Sequence, residues 1–378
     1  MHTITEGLIK AGQDVTLLTI YTHKHDLELE KLSQEYIEQT KIKGVFVDAR
    51  VNLVDAFSAL ITADSYNVSR FFSADFDIIL SKLLREQQFD IIHLESLFMT
   101  PYIGTIRRFS NAKVVLRSHN LEYIVWERVA SGTRNFAKKA YLKHLSRKLK
   151  TYELDVITQI DGIVSISNKD QKHYHEIGLK KPIINVSFGI NIENYTLENS
   201  IPSPSIFHLG AMDWTPNIEG VLWFLDEVWP QVHKSHPDLT LHLAGRRMPE
   251  HIIQFEYPNV KIIGEVDDAK EFMRDHLIMI VPILSGGGIR VKIIEGMAMA
   301  KNIVSTSIGA EGIEAENGTE LVIADTPIDF AKAISQLLSN PDKARRMRQN
   351  ARARAEKSYN NKVLINQLVK FYQDLLSR

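Results

Sequence analysis

The chain has 378 residues, of which 44% are hydrophobic and 24% are charged, which is ordinary for a globular protein and sufficient for two hydrophobic cores. A formal net charge of -1 gives no overall attraction to nucleic acid, and the lack of cysteine excludes disulfides, thiolate nucleophiles and cysteine-based zinc sites. No apolar stretch approaches the ~20 residues that cross a bilayer, and the first residues do not resemble a signal peptide. We therefore expect a two-domain cytoplasmic protein.

Short β-branched segments alternate with helical patterns, which predicts an α/β protein built on parallel sheets. The first half contains predicted strands at 15–20, 91–95, 113–118, 162–166 and 182–186. Because a helical pattern precedes the first of them, we expect the first strand of this sheet to lie before Met1. The sequence Asp75-Phe76-Asp77 opens another helical pattern, so we interpret it as helix capping rather than as a metal-binding Asp-x-Asp motif.

Two polar residues stand at strand ends of this first half. Glu95 ends the strand 91–95, and His119 follows the strand 113–118. Open α/β sheets bind ligands at the carboxyl ends of their strands, so both residues are candidates for contact with a bound molecule. The alternatives are a strand-end histidine bonded to a carbonyl group and an ordinary surface carboxylate.

The segment 134–150 has no acidic residue and carries an apolar stripe of Phe136, Ala140, Tyr141, Leu145 and Leu149. Its basic residues are Arg134, Lys138, Lys139, Lys143, Arg147, Lys148 and Lys150. A basic amphipathic helix of this kind can make peripheral contact with an anionic membrane. The alternative, which we favour at this point, is a helix that packs its stripe on the sheet and leaves its charges in solvent.

Periodicity is lost from 191 to 205, where several asparagines and prolines predict an interdomain linker. The second half then returns to alternating strands and helices. Its strands are predicted at 206–209, 239–244, 260–263, 277–282, 302–305 and 320–323. This pattern divides the chain into a first domain, 1–190, and a second domain, 206–361.

The segment 283–300 is the most informative part of the second half. Three glycines follow a buried strand: Gly286, Gly287 and Gly288. They let a ligand approach the backbone, and the following helix offers free N–H groups together with the charges of Arg290 and Lys292. The combination predicts a diphosphate site. One turn further, Glu295 can accept hydrogen bonds from a ribose diol. The alternative is a glycine-rich turn with surface charges.

Several motifs of the second half form a recognisable set. They are Leu209-Gly210-Ala211-Met212-Asp213-Trp214 with Pro216-Asn217, Ala244-Gly245-Arg246, Gly264-Glu265-Val266, the segment from Gly286 to Met299, and Ser307-Ile308-Gly309-Ala310-Glu311-Gly312. The set resembles the group 1 glycosyltransferases, family four of the GT-B fold. The resemblance covers the second domain, and Ser118-His119-Asn120-Leu121-Glu122 with Asp161-Gly162-Ile163-Val164 extends it more weakly to the first.

This resemblance implies two Rossmann-like domains that face each other across a cleft, with the final helix, 362–378, completing the first domain. It also implies a retaining, hexosyltransferase-like enzyme of polysaccharide biosynthesis. Such an enzyme moves a sugar from a nucleotide-diphosphate sugar to a hydroxyl group of a glycan, a lipid-linked sugar or a similar acceptor. Neither a metal nor another cofactor is expected, because the leaving phosphate itself helps to take the acceptor proton.

The resemblance also assigns roles to individual residues. Glu295 matches the family glutamate that binds the ribose, and His119 matches the histidine that faces the reacting sugar. The loop that holds the base matches Gly264, Glu265 and Val266.

Two departures from the family pattern change this assignment. The turn from Gly210 to Trp214 lacks the family's basic residues, so we expect Arg290 and Lys292 to replace them. The family's earlier glutamate, eight positions before the ribose-binding one, falls on Gly287, and Glu311 is the expected substitute.

Two other functions remain open. A sugar-nucleotide 2-epimerase would share the architecture, but it needs acids and bases around the sugar ring, which the sequence does not show. A catalytically silent nucleotide-sugar-binding protein is favoured by Gly287 and by the expected missing strand. Nicotinamide dehydrogenases and P-loop enzymes are disfavoured, because neither Gly-x-Gly-x-x-Gly nor the P-loop motif occurs.

Overall fold

The structure is a computed structural model that describes residues 2–23, 26–48, 50, 66–197, 204–254 and 256–378. The chain divides into two compact units, Met1–Ser187 with Ile365–Arg378 and Phe188–Leu364. The segment predicted as a linker, 191–205, therefore falls within the second unit. Its residues Ile192 and Tyr195 are buried in a core of that unit.

The described residues of the first unit form two parallel sheets. Its strands are β1 (Leu18–Tyr21), β2 (Lys43–Phe46), β3 (Ile91–Glu95), β4 (Lys113–Ser118), β5 (Gly162–Ser165) and β6 (Ile183–Asn185). β1 pairs with β2, and the larger sheet has the order β3-β4-β5-β6. The central strands β4 and β5 are rich in valine, isoleucine and leucine because helices cover both faces of a parallel sheet.

Helices surround these sheets. They are His2–Lys10, Gln34–Thr40, Tyr66–Ser69, Ala74–Glu86, Ile103–Phe109, Glu122–Gly132, Phe136–Gln159 and Asn168–Glu176, with 3-10 turns at Leu29–Lys31 and Leu97–Tyr102. The cap of Ala74–Glu86 is Ser73, whose hydroxyl accepts the Phe76 N–H, while Asp75 and Asp77 lie in the first turn. The negative charges of these two carboxylates thus stabilise the helix N-terminus, but neither aspartate is the cap.

The last helix, Asn361–Leu376, continues into the first unit from Ile365 onward. Phe371 and Leu375 pack on Gly162 of β5, where a Cβ atom would lie 2.9 Å from each of them. Glycine at 162 therefore allows close contact between this helix and the sheet. None of the helices in the described ranges is long and apolar enough to cross a membrane.

The second unit is built on one six-stranded parallel sheet. Its strands are β7 (Ser205–Leu209), β8 (Thr240–Ala244), β9 (Val260–Gly264), β10 (Ile278–Val281), β11 (Asn302–Ser305) and β12 (Val322–Ile323). Their order is β12-β11-β10-β7-β8-β9. The chain runs outward from β7 in one direction and from β10 in the other, so the border between β7 and β10 is a topological switch point.

The helices of this unit begin after the strand ends. They are Thr215–Trp223, Trp229–Ser235, Glu250–Ile253, Ala269–Arg274, Val291–Ala298, Pro327–Ser339 and Pro341–Ser358, with a π-helical turn at Phe224–Val228 and a 3-10 turn at Ile192–Asn194. Glycines bring some of these elements unusually close. A Cβ atom at Gly220 would lie 2.1 Å from the Pro282 carbonyl oxygen, and one at Gly245 would lie 1.8 Å from that of Gly210.

Candidate functional site

The loop after β10 contains the three predicted glycines. Gly286 has φ of +97° and Gly288 has φ of +85°, a left-handed conformation that other residues adopt only with strain. A Cβ atom at Gly286 would lie 3.2 Å from the Trp214 ring and 3.5 Å from Nη2 of Arg290. The glycines therefore bring the loop backbone close to residues that follow β7, at the switch point of the sheet.

Arg290 is the N-cap of the helix Val291–Ala298 and is only 7% exposed. Its Nη1 donates to the carbonyl oxygens of Gly287 and Gly288, the latter at 2.6 Å. The guanidinium carbon lies 4.9 Å from the centre of the Trp214 ring, within cation–π range. Burial lowers the Arg290 pKa, and the charge of Glu311 opposes this shift.

The remaining donors of Arg290 face a site with no protein acceptor in the described part of the chain. Nε and Nη2 are buried and have no hydrogen-bond partner among the described residues. An unsatisfied buried donor costs ~1 to 3 kcal/mol, and more when the group is charged. A positive charge at a helix N-terminus is also unfavourable. An anion at this position would relieve both penalties.

Lys292 extends from the same helix to the end of β7. Its Nζ donates to the Leu209 carbonyl and to Oδ1 of Asn217, each at 3.1 Å. A Cβ atom at Gly210 would lie 2.8 Å from this Nζ. Burial, together with the charge of Arg290, lowers the pKa of Lys292 to about 7. The amine thus lies beside the turn where family relatives were expected to carry basic residues.

His208 is a residue of this region that sequence reasoning missed. It is fully buried on β7, with Nδ1 3.3 Å from the Ile280 carbonyl oxygen and with no partner for Nε2 in the described part of the chain. Burial and the charge of Lys292 hold its pKa well below the ordinary value, so the ring is neutral. The available signal was a histidine among the apolar residues Ile206, Phe207 and Leu209 of this strand.

Glu295 lies on the same helix and is held from the side by Tyr195. The Tyr195 hydroxyl donates to Oε1 of Glu295 at 3.0 Å, and Nζ of Lys270 lies 4.9 Å from the centre of the Tyr195 ring. Burial raises the Glu295 pKa, while Tyr195 and Lys270 oppose the shift. The carboxylate is therefore oriented before any ligand binds.

The other predicted residues of the second unit lie at neighbouring strand ends. Gly264 ends β9 with φ of +76°, and its carbonyl accepts the Gly245 N–H at 2.6 Å. Glu265 is exposed and Val266 is partly buried. Glu311, after β11, acts on Arg290 through its charge. The structure thus brings Arg290, Lys292 and the glycines together, with Gly264 at the edge strand.

The first unit has its own polar cluster, in which Glu95 is the centre. Nε2 of His119 lies 2.7 Å from Oε2 of Glu95, and Nη1 of the fully buried Arg117 lies 3.2 Å from the same oxygen. Burial alone would raise the Glu95 pKa. The hydrogen bond from His119, with the nearby His93 and Arg117, outweighs burial and holds this pKa well below its usual range.

This cluster bears on the two alternatives that the sequence left open for Glu95 and His119. Glu95 is not an ordinary surface carboxylate, because its side chain is only 15% exposed. His119 is not merely bonded to a carbonyl group, because Nε2 contacts the Glu95 carboxylate. The reason is the strand register, which places Glu95 directly beside Arg117 and two residues from His119.

Both halves of the chain match known protein families. Residues 1–194 match the family described as Glycosyltransferase Family 4, and residues 203–340 match Glycosyl transferases group 1. A curated relative, an uncharacterized 44.6 kDa protein in the cps region of Klebsiella pneumoniae, is 25% identical over 382 residues. That match covers 97% of this chain and 92% of the relative.

Solved structures show the same fold. Sucrose-phosphate synthase from Thermosynechococcus elongatus superposes with a TM-score of 0.71 at 16% identity, covering 99% of this chain and 92% of the synthase. HepE from Anabaena, in complex with UDP, superposes with a TM-score of 0.67 at 11% identity, covering 95% of this chain and 100% of HepE. A glycosyltransferase from Rickettsia africae superposes with a TM-score of 0.63 at 17% identity, covering 96% of this chain and 99% of the glycosyltransferase. The predicted GT-B fold is confirmed.

Proposed function

This chain belongs to glycosyltransferase family 4, and we propose that it moves a sugar from a nucleoside-diphosphate sugar to a hydroxyl acceptor with retention of anomeric configuration. The observation that carries the proposal is the buried guanidinium of Arg290, whose Nε and Nη2 lack partners within the described residues. A diphosphate supplies the acceptor oxygens and the negative charge that this group needs.

Three further features suit the same ligand. The left-handed glycines Gly286 and Gly288 carry no side chain that would keep a phosphate from the loop backbone, and the N–H groups at the start of the following helix favour an anion there. Lys292 adds a second cation at the end of β7. Among the solved relatives, HepE is described in complex with UDP and with UDP-glucose, which supports a nucleoside-diphosphate donor.

The nucleoside would be held by the neighbouring carboxylate and strand ends. Glu295 is oriented by Tyr195, so its oxygens can accept from a ribose diol at little cost in side-chain entropy. We place the base near Gly264, Glu265 and Val266, and we assign Glu311 to the donor sugar.

Charge on the leaving diphosphate would be stabilised by Arg290, Lys292 and the helix N-terminus, none of which requires a metal. His119 of the first unit would bind a hydroxyl group of the donor sugar or the acceptor. In this proposal the protein supplies position and fixed charge, and the leaving phosphate helps to accept the proton of the attacking hydroxyl.

The test is slow hydrolysis of nucleotide sugars, which needs no known acceptor. We expect one donor from a panel to be hydrolysed in excess chelator, and we expect His119→Ala to lower this rate sharply while leaving nucleotide affinity unchanged. His236→Ala, in a loop of the second unit, is the matched control. Activity that chelator abolishes and manganese restores would refute the metal-independent mechanism. Nucleotide binding without turnover would favour the silent binder.

Peripheral contact with an anionic membrane is a separate part of the proposal. The stripe of the basic helix is divided: Leu145 and Leu149 are buried, but Phe136 at the helix start is 86% exposed. Lys138 and Lys143 are exposed on the same helix. Each cation near an anionic surface contributes ~1 kcal/mol, and burying a phenylalanine contributes ~1.5 to 3 kcal/mol.

Vesicle sedimentation tests this contact. We expect binding to vesicles that contain phosphatidylglycerol, little binding to neutral phosphatidylcholine vesicles, and a loss with Phe136→Ser. Ile328→Ser is the matched control, because Ile328 is 69% exposed on a helix of the second unit. Equal effects of the two substitutions would exclude a specific role for Phe136.

A further inference from the structure

The cluster around Glu95 extends through His93 to the last helix of the chain. Nε2 of His93 lies 3.5 Å from Oε1 of Glu95, and Nδ1 of the same ring bonds to the Tyr372 hydroxyl. Tyr372 is buried on the helix Asn361–Leu376. A path of contacts therefore joins the C-terminal helix to His119, in which His93 approaches Glu95 without a hydrogen bond, and all its members lie in the first unit.

The protons along this path have one consistent arrangement. Glu95 is held ionised, so it can only accept hydrogen bonds, and the Nε2 atom of His119 must carry the proton that lies between them. Burial, with the charge of Glu95, raises the Tyr372 pKa, so its hydroxyl remains a donor. The Tyr372 hydroxyl then donates to Nδ1 of His93, whose Nε2 has no hydrogen-bond partner among the described residues.

Three side chains surround the carboxylate of Glu95. Oε2 receives His119 and Arg117, and Oε1 faces His93. A carboxylate with these partners and 15% side-chain exposure is poorly placed to bind an acceptor hydroxyl itself. Its contacts instead act on His119, the member of the group with the largest side-chain exposure at 32%.

The backbone after Glu95 is also held in a fixed and costly conformation. Ser96 has φ of +85°, where a residue with a side chain costs ~1 to 3 kcal/mol. The Ser96 N–H donates to the Arg117 carbonyl at 3.0 Å, and its hydroxyl accepts the Phe98 N–H at 3.3 Å. Such strain persists where the surrounding structure fixes a position.

We infer that Glu95 is a positioning residue, which fixes the ring of His119 as the Nε2–H tautomer and is itself held by Arg117 and by the path from Tyr372 through His93. The inference rests on the proposed function for its catalytic consequence, but the tautomer is a property of the protein alone.

Nitrogen-15 NMR of the histidine rings tests the structural part without any substrate. We expect His119, assigned by the loss of its signals in His119→Ala, to show a single Nε2–H tautomer in the native protein. Glu95→Gln should convert it to a mixture, whereas Glu86→Gln, at an exposed helix end, should not. A native His119 in the Nδ1–H form, or one unchanged by Glu95→Gln, would overturn the inference.

Kinetics test the catalytic part. Glu95→Gln should lower kcat for transfer or donor hydrolysis by about tenfold to a hundredfold, which is the range for lost positioning, with the donor KM nearly unchanged. Tyr372→Phe, which keeps the ring, should lower kcat by a smaller factor and alter the His93 signals. Full turnover in Glu95→Gln would refute the role. If the native protein has no turnover, the proposed function fails while the NMR result still decides the tautomer.

Discussion

The two units arrange charge in opposite ways at the carboxyl ends of their strands. In the first unit, the Glu95 carboxylate meets Arg117 and two histidines, so opposite charges are paired within the protein. In the second unit, Arg290 and Lys292 donate to neutral carbonyl and amide oxygens, and two donors of Arg290 lack partners among the described residues. We therefore expect the first arrangement to suit neutral hydroxyl groups and the second to suit an anion.

The largest contrast is expected when the buried arginine of each unit is replaced. Arg117→Met leaves the Glu95 carboxylate buried without its arginine partner, and breaking a buried ion pair in this way typically costs ~3 to 5 kcal/mol. We expect a loss of this size in the free energy of unfolding, measured by urea denaturation with circular dichroism. The double variant Arg117→Met with Glu95→Gln should recover part of it. An Arg117→Met protein with the native free energy of unfolding would show that the Arg117–Glu95 pair does not stabilise the first unit.

Arg290→Met should behave in the opposite way. It removes an incompletely satisfied cation, so the free energy of unfolding should stay the same or rise. Lost charge-assisted bonds are worth ~1.5 to 3 kcal/mol, so affinity for a nucleoside diphosphate should fall about tenfold or more. Calorimetry checks this, with Arg345→Met, on an exposed helix, as the matched control. Unchanged affinity would remove Arg290 from the site.

The contrast also explains which parts the sequence could predict. Arg290, Lys292, Glu295 and the glycines are neighbours along the chain, so one local motif indicated all of them. Glu95 and His119 are 24 residues apart, and their contact depends on the register between β3 and β4, which no local pattern encodes. The sequence showed each residue at a strand end but not that they meet.

The secondary structure was likewise predictable where local sequence determines it and missed where tertiary contacts do. The strands β3, β4 and β11 match their predicted bounds, since each is a distinct run with strong β propensity. β2 was missed because Lys43-Gly44 begins it and three of its four residues are exposed. Residues 191–197 have linker-like composition, yet Ile192 and Tyr195 are buried through contacts with distant residues.

The state of Lys292 gives the second site a pH dependence. Its pKa is about 7 in the folded protein and 10.5 ordinarily, and it faces the charge of Arg290 and the neutral ring of His208. The unfolded chain therefore binds more protons between about pH 7 and 10.5, so this group makes the free protein more stable as pH rises through that window.

The affinity for the diphosphate should instead fall as the pH rises. The anion favours protonated Lys292, so binding takes up a proton above pH 7, and affinity should fall by up to about tenfold per pH unit. Titrations between pH 7.5 and 9 avoid ionisation of the phosphate itself. The slope should disappear in Lys292→Met. A slope that persists in this variant would assign the proton to another group.

The smallest expected effect concerns Tyr195, which orients Glu295. Tyr195→Phe removes one hydrogen bond to the carboxylate, worth ~0.5 to 1.5 kcal/mol, so ribonucleotide affinity should fall about threefold to tenfold. A 2′-deoxy nucleotide should be affected less, because it presents no diol to Glu295. Tyr257→Phe, which removes the hydroxyl that donates to Asp226 at 2.8 Å, is the matched control. If Tyr195→Phe instead strengthened ribonucleotide binding, Tyr195 would be competing with the ribose for Glu295 rather than orienting it.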